Sequence, residues 1–442
     1  MLLASAAQNL GAARAQMGLS LGWHIVFACL GVGFPGLILL AEWRGIRGDA
    51  DSMRLARRWA KAAGVLFAVG AVSGTILSFE MGLLWPGLMG KFGAVFGVPF
   101  ALEGFAFFIE AIFLGIYLYA WDRLRPRVHL ASGVPVLIAG VASAFFVVTA
   151  NSWMNDPQGF SIVNGQVTNP RPLMAMFNRA TPVQTSHMIL AAFMVTGFAV
   201  AAVYAVAMLR GRRDRYHRAG LLLPLIVATL ITPAQIVVGD IAAREVADNQ
   251  PVKLAAMEGL AHSEPGSGEH IGGIYINGEL HFAIVIPHAL AFLAKGDANA
   301  TVAGLDSVAA HERPQAVTLI HLAFDLMVAI GFLLLGLGLC LAVTWRRGRL
   351  SYVSKWLLRA VVVAGPAAAV AMECGWIVTE VGRQPWIVYQ VMRTEDAVNP
   401  APGLFWGLIA LIVVYSVLTV VTISVLRALA RRPLGEPARE AA

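Results

Sequence analysis

Nine stretches of this sequence are apolar over lengths that can cross a bilayer, at residues 17–43, 59–84, 95–121, 130–150, 182–209, 219–239, 316–344, 353–379 and 404–428. A helix needs about 20 mostly apolar residues to do so. In lipid every backbone polar group must be satisfied internally, which leaves helices or closed barrels. Runs of this length predict an all-α polytopic membrane protein. Composition agrees, since 58% of the 442 residues are hydrophobic and 13% are charged, far from the soluble norm. No basic n-region followed by a cleavage site precedes the first run, so it reads as a mature helix. Cys29, Cys340 and Cys374 stand alone, without a disulfide framework or a CxxC pattern.

Basic residues sort between alternate connections. One side carries Arg44 to Lys61, then Arg123, Arg125 and Arg127, then Arg210 to Arg218, then Arg346 to Arg359. The tail adds Arg427, Arg431, Arg432 and Arg439, for 23 of the 33 lysines and arginines. Such a surplus marks the cytoplasmic side, so it argues for a membrane protein rather than a nucleic-acid partner. The N-terminus is then expected outside and the C-terminus inside, which requires an odd number of spans. Four segments follow: spans one to six in 1–239, a long external loop at 240–315, spans seven to nine in 316–428, and a cytoplasmic, disordered tail at 429–442. Within the loop, the apolar patch 281–294 is too short to span and is expected at the interface or against the helices.

Ionisable residues inside membrane spans are costly and default to function. Here they are few. His24 lies in the first span, Glu103 and Glu110 in the third, His187 in the fifth, His321 and Asp325 with Met327 in the seventh, and Glu373 late in the eighth, just before Glu380. Glu103 and Glu110 are two helical turns apart and share a face, which suggests a proton path or, in a transporter, an ion path. With the orientation above, His24, Glu103, His187 and Met327 fall roughly 10–17 Å below the outer surface at about 1.5 Å rise per residue. Glu380 shares that outer half. His and Met are the usual axial ligands of a low-spin haem. Each also has an ordinary reading, as an interhelical hydrogen bond for a lone histidine or core filling for a methionine. The membrane histidines come singly from different helices, which fits neither a copper-containing haem oxidase nor a zinc site.

The eighth span ends in Trp376-Ile-Val-Thr-Glu380-Val-Gly-Arg383-Gln-Pro-Trp386. Taken alone, Glu380 and Arg383 could be an interfacial ion pair between tryptophan anchors. Other motifs accompany it in order: MGLSLGWHIVF (17–27), PFALEGFAFFIEAIFLGIYLYAWDRL (99–124), TANSWMNDP (149–157), TPVQTSHM (181–188) and KLAAMEG (253–259). Together with GRQPW (382–386) they resemble subunit I of the cytochrome bd quinol oxidases over nearly the whole chain. The long loop corresponds to that family's Q-loop, here of the short kind, and the features are similar to its cyanide-insensitive branch.

The resemblance implies roles residue by residue. His187 and Met327 would ligate a low-spin haem b. His24 would ligate the oxygen-site haem, a haem d or a further haem b, and Glu380 a high-spin haem b. Arg383 would hold haem propionate, Trp376 would pack against a haem, and Asn151 would lie near the cluster. Glu103, Glu110 and Ser143 would carry protons inward, and Lys253 and Glu258 would act on quinol. The family oxidises quinol at the outer face of the bacterial cytoplasmic (inner) membrane and reduces oxygen to water. It takes the protons for water from inside, so a gradient forms without a dedicated pump. It works with a second, haem-free membrane subunit, and a small single-helix subunit is a further expectation. Two departures stand out. Glu103 and Glu110 are seven residues apart, where the best-known members have eight, a change of about 100° around the helix. Asp325 replaces an arginine two residues before Met327, which should lower the potential of the low-spin haem. Two readings from other classes stand beside the oxidase: an ion-coupled transporter using Glu103 and Glu110, and a haem-binding electron-transfer subunit without oxygen chemistry.

Overall fold

The structure, a computed structural model, describes residues 2–347 and 353–431, with side chains from Asn9 onward. Arg349, Arg432, Arg439 and the tail from 432 lie outside the described residues. Among the described residues, nine helices are long and apolar enough to span a membrane. They are α1 (Leu2–Ile46), α2 (Ala50–Leu84), α3 (Pro86–Tyr119), α4 (Pro126–Asn155), α6 (Thr181–Leu209), α7 (Arg215–Asn249), α10 (Val317–Arg346), α11 (Lys355–Val381) and α13 (Leu404–Arg431). Short helices fill the connections: α5 (Pro172–Met176), α8 (Pro251–Met257), α9 (Ala289–Lys295) and α12 (Thr394–Ala397). The nine match the expected spans in number and order. Most run further than hydropathy alone suggests, because polar first and last turns continue the helix beyond its apolar stretch.

Local chemistry explains several ends. Asp49 and Asp214 cap α2 and α7 by accepting from Ser52 N and His217 N, and Ser354 caps α11 through Leu357 N. Proline opens α3, α4 and α8, at a position where its missing N–H costs nothing. Internal prolines, such as Pro224 and Pro233 in α7, are tolerated because neighbouring helices re-satisfy the freed carbonyls.

α6 is central and packs on α1, α4, α7 and α11, while α1 pairs with α2, α3 with α4, and α10 with α11. Small residues allow close approach. A Cβ on Gly197 of α6 would stand 2.8 Å from the Pro224 carbonyl oxygen of α7. The basic connections meet at one end of the bundle. There Arg57 bonds Asp122 at 2.8 Å, Arg215 lies 3.7 Å from Asp49, and Arg58 reaches the carbonyl of Leu429.

At the other end, α7 continues to Asn249, ten residues past the expected boundary at 239, so the interhelical segment begins at Gln250. It folds into α8, α9 and short antiparallel pairs: β3 (Glu264–Pro265) with β8 (Thr301–Val302), β4 (Glu269–Ile271) with β7 (Ile284–Ile286), and β5 (Ile274–Ile276) with β6 (Glu279–His281). Leu254, Ala255, Met257, Leu290 and Leu305 bury it against Ile320 and Val378. The apolar patch 281–294 divides: Leu290 and Ala291 are buried, whereas Phe282, Ile284, Val285 and Ile286 face outward. Two further pairs complete this end: β1 (Ser161–Val163) with β2 (Gln166–Thr168), and β9 (Trp386–Val388) with β10 (Met392–Arg393).

Candidate functional site

The GRQPW segment turns the chain out of α11. Gly382 ends the helix with its N–H on the Val378 carbonyl at 3.1 Å, and the Gln384–Pro385 bond is cis. Thr394 and Arg14 both donate to Gln384 Oε1, at 2.8 and 2.6 Å. This turn carries Arg383 inward to 2% exposure, where its Nη2 donates to Glu380 Oε2 at 2.7 Å. Its Nε and Nη1 are buried and have no partner among the described residues. Two unfilled guanidinium donors in a dry setting are costly unless an anion meets them.

Glu380 also accepts from Asn151 of α4. One turn later on α4, Asn155 donates to Asn151 Oδ1 at 3.1 Å and accepts from Lys253 Nζ at 2.8 Å. A single network thus joins Glu380, Arg383, Asn151, Asn155 and Lys253. Burial, with the Arg383 charge adding to it, pushes the Lys253 ammonium down to about 7, against a smaller opposing pull from Glu380 and Glu245. A cavity of about 190 Å³ opens beside this network, lined by Lys253, Arg383, Gln384, Glu312 and Tyr389 among others.

Glu258 points elsewhere. It ends α8 five residues after Lys253, and its carboxylate is 3% exposed with Oε2 unpaired. The charges of Glu269 and Asp325 add to burial in raising it. The expected pair Lys253 and Glu258 therefore lies on two sides of α8, Lys253 toward α4 and α11, Glu258 toward β4 and α10.

Glycine marks space beside three candidate ligands. His24 of α1 bonds Ser73 Oγ through Nδ1 at 2.8 Å, and a Cβ on the next residue, Gly74 of α2, would lie 3.1 Å from its Cε1. A Cβ on Gly239 of α7 would lie 3.3 Å from Cε1 of His187, and one on Gly375 of α11 would lie 3.1 Å from Sδ of Met327. His187 (α6) and Met327 (α10) sit on helices that both pack on α7 and α11. Among the described residues, the Gln235 amide nitrogen is the polar partner of the His187 ring, at 3.2 Å from Nε2. Trp376 packs at the edge of the main apolar core.

On α3, Glu110 is buried against α4, where a Cβ on Gly140 would come within 3.6 Å of its Oε1. Ser143 follows Gly140 by about one turn. Glu103 is half-buried and makes no hydrogen bond among the described residues.

Several groups had no role in the sequence reading. Asn155 lies within the TANSWMNDP motif, one turn from Asn151, and was given no role. Glu80 of α2 buries both carboxylate oxygens near Ser20, and Glu373 of α11 buries Oε1, with its Oε2 3.5 Å from where a Gly22 Cβ would be. Glu42, His129 and Tyr117 form a sealed cluster at the basic end, with His129 Nδ1 2.7 Å from Glu42 Oε1. Asp325, read only as an acid near Met327, accepts the Gly272 N–H at 2.6 Å and so pins the segment between α7 and α10.

Comparison with known proteins decides the family. Residues 12–434 match the family described as cytochrome bd terminal oxidase subunit I. This chain belongs to that family. A Bacillus subtilis (strain 168) protein provisionally assigned as a cytochrome bd menaquinol oxidase subunit I is 37% identical over 423 residues, 94% of this chain and 95% of that protein. Cytochrome bd-II ubiquinol oxidase subunit 1 of Escherichia coli (strain K12) is 26% identical, with 95% of each chain covered. The solved bd oxidase from Geobacillus thermodenitrificans superposes with a TM-score of 0.90 at 37% identity, over 96% of this subunit and 98% of that chain.

Proposed function

We propose that this subunit oxidises quinol at the outer face of a bacterial cytoplasmic membrane and reduces oxygen to water, together with a second membrane subunit. The observation that carries the reading is Arg383, a fully buried guanidinium with two unfilled donors beside Glu380. Arg383 would hold a haem propionate as the anion that its unfilled donors call for. The residues fit haem in other respects too: nitrogen, sulfur and carboxylate donors on separate helices, and glycines opposite His24, His187 and Met327. In this reading His187 and Met327 hold a low-spin haem b, Glu380 holds a high-spin haem b, and His24 holds a haem d or a further haem b. Haem, when bound, supplies the one-electron centre and the iron at which oxygen is reduced.

The chain's own residues do the rest. Glu258 accepts a quinol hydroxyl proton, which its raised affinity for protons suits. Lys253, poised near neutrality, can hold or release a proton where the network of Asn155, Glu380 and Arg383 meets the external segment. Glu110, Ser143 and Glu103 take protons from the cytoplasmic side, and Asn151 orients Glu380. Basic residues at one end of the bundle put that end inside. Uptake inside and release outside then separate charge without a pump.

The test is His187→Ala in the purified oxidase. Loss of the low-spin haem spectrum and of quinol oxidation is expected; a spectrum identical to wild type would refute the ligand assignment. Glu258→Gln should slow quinol turnover and leave haem content intact.

A further inference from the structure

Glu269 lies outside every motif of the resemblance. It opens β4, and β4 is held at both ends. His270 places Nδ1 2.9 Å from the carbonyl oxygen of Glu258 itself, which ties the start of the strand to the end of α8. Beyond the strand, the Gly272 N–H is taken by Asp325 Oδ2 at 2.6 Å. The Gly272 carbonyl faces His321 Nε2 at 2.9 Å, and His321 Nδ1 faces the Met257 carbonyl at 2.7 Å. The ring thus lies between two backbone carbonyls, with Asp325 Oδ2 3.6 Å from Nε2. His321 therefore links the residue before Glu258 to the segment after β4, which holds the strand that Glu269 opens against the end of α8. Of the two, Glu258 is 3% exposed with an unfilled Oε2, whereas Glu269 is only half-buried.

We propose that Glu269 is the outward proton relay of the quinol site, receiving through Glu258 the proton that quinol gives up and passing it to external water. This rests on the quinol oxidase reading above. The charge of Glu269 acts on Glu258, so a proton on one carboxylate eases ionisation of the other. Burial and the Asp325 charge raise Glu269, and His321 opposes them; burial, Glu269 and Asp325 all raise Glu258. His270, His321 and Asp325 are the other titratable groups facing the pair. In the step, the quinol O–H bond breaks, its electron pair stays on the quinol oxygen, and the proton goes to Glu258. Glu258 passes a proton on to Glu269 and Glu269 releases one to water, so both carboxylates end as they began, and the quinol electrons pass onward to reduce oxygen, the oxidant of the family's reaction.

The experiment compares oxygen uptake by the assembled oxidase with two donors. One is a short-chain quinol such as ubiquinol-1. The other is tetramethyl-p-phenylenediamine, a one-electron donor with no ionisable hydroxyl. Glu269→Gln should lower the quinol rate about ten- to a hundredfold, lower the quinol-to-diamine ratio with it, and leave the haem spectrum intact. Added imidazole, a small diffusible base, should restore part of the quinol rate in the variant and none in wild type. An unchanged ratio overturns the relay, as does an equal loss with both donors. If the glutamine variant does not assemble, Glu269→Asp is read the same way: a ratio lowered about threefold supports the relay and an unchanged ratio overturns it. Wild-type enzyme that takes up no oxygen from either donor overturns the oxidase reading itself, and the relay with it.

Discussion

Lys253 shows how one residue can carry the electrostatics of a site. The residue is 4% exposed, its amino group donates to Asn155 Oδ1, and the Arg383 charge acts on it. An unfolded chain keeps a lysine proton until about 10.5, while the native state gives it up near 7. Between those values the unfolded state binds more protons, so stability rises with pH across that window and is lost again as pH falls toward 7. The haem-stripped protein should therefore show a thermal midpoint that climbs from pH 7 to pH 10, and Lys253→Met should flatten that climb. Equal slopes would contradict the buried position. Arg383→Gln removes the only charged donor that reaches Glu380 and the partner of the inferred propionate. It should lower haem stoichiometry by about one haem per complex, measured by haem extraction. The residue types of this network were legible in the sequence, because Glu380, Arg383 and Asn151 fall in recognisable motifs. Its closure was not. That Asn155 joins Asn151 to Lys253 depends on α4 meeting α8, a contact between residues 98 positions apart.

At the scale of elements, the spans were legible because hydropathy over some 20 residues is a strong signal. Their ends were less so, since capped polar turns continue the helix where hydropathy falls. α7 is the clearest case: its final stretch, IAAREVADN, is helical yet too polar to count as span. The external segment was legible in length and in its KLAAMEG motif. Its short antiparallel pairs were not, because strands of two or three residues leave no periodicity to read. The split between Lys253 and Glu258 likewise follows from α8 being a helix, which sets residues five apart roughly 140° from one another. Two predictions belong here. Gly197→Leu forces side-chain volume into the α6–α7 contact, where a Cβ already stands 2.8 Å from the Pro224 carbonyl oxygen. Overpacking of this kind costs about 1–3 kcal/mol, and thermal inactivation in detergent should occur at lower temperature. Gly239→Val should instead fill the space beside His187, reducing low-spin haem while helical circular dichroism stays at wild-type strength.

The whole molecule joins these parts into a bundle with two unlike ends. One gathers the arginine-rich turns around Arg57, Asp122, Arg215 and Asp49. The other gathers Glu380, Arg383, Lys253 and Glu258 under the folded external segment. The proposed direction of chemistry, quinol outside and proton supply inside, rests on that asymmetry together with the expectation that a basic surplus marks the cytoplasmic side. Apolar side chains remain exposed along α3 and α13, among them Phe105, Phe108, Ile112, Trp406 and Val420. Lipid and a second subunit are the surroundings that suit them. The most direct test of the account is quinol-driven oxygen uptake by the purified oxidase, with its visible spectrum recorded on the same sample. The account predicts a coloured, haem-replete protein that consumes oxygen when quinol is added. A colourless protein, or a coloured one that leaves oxygen untouched in the presence of quinol, would contradict it.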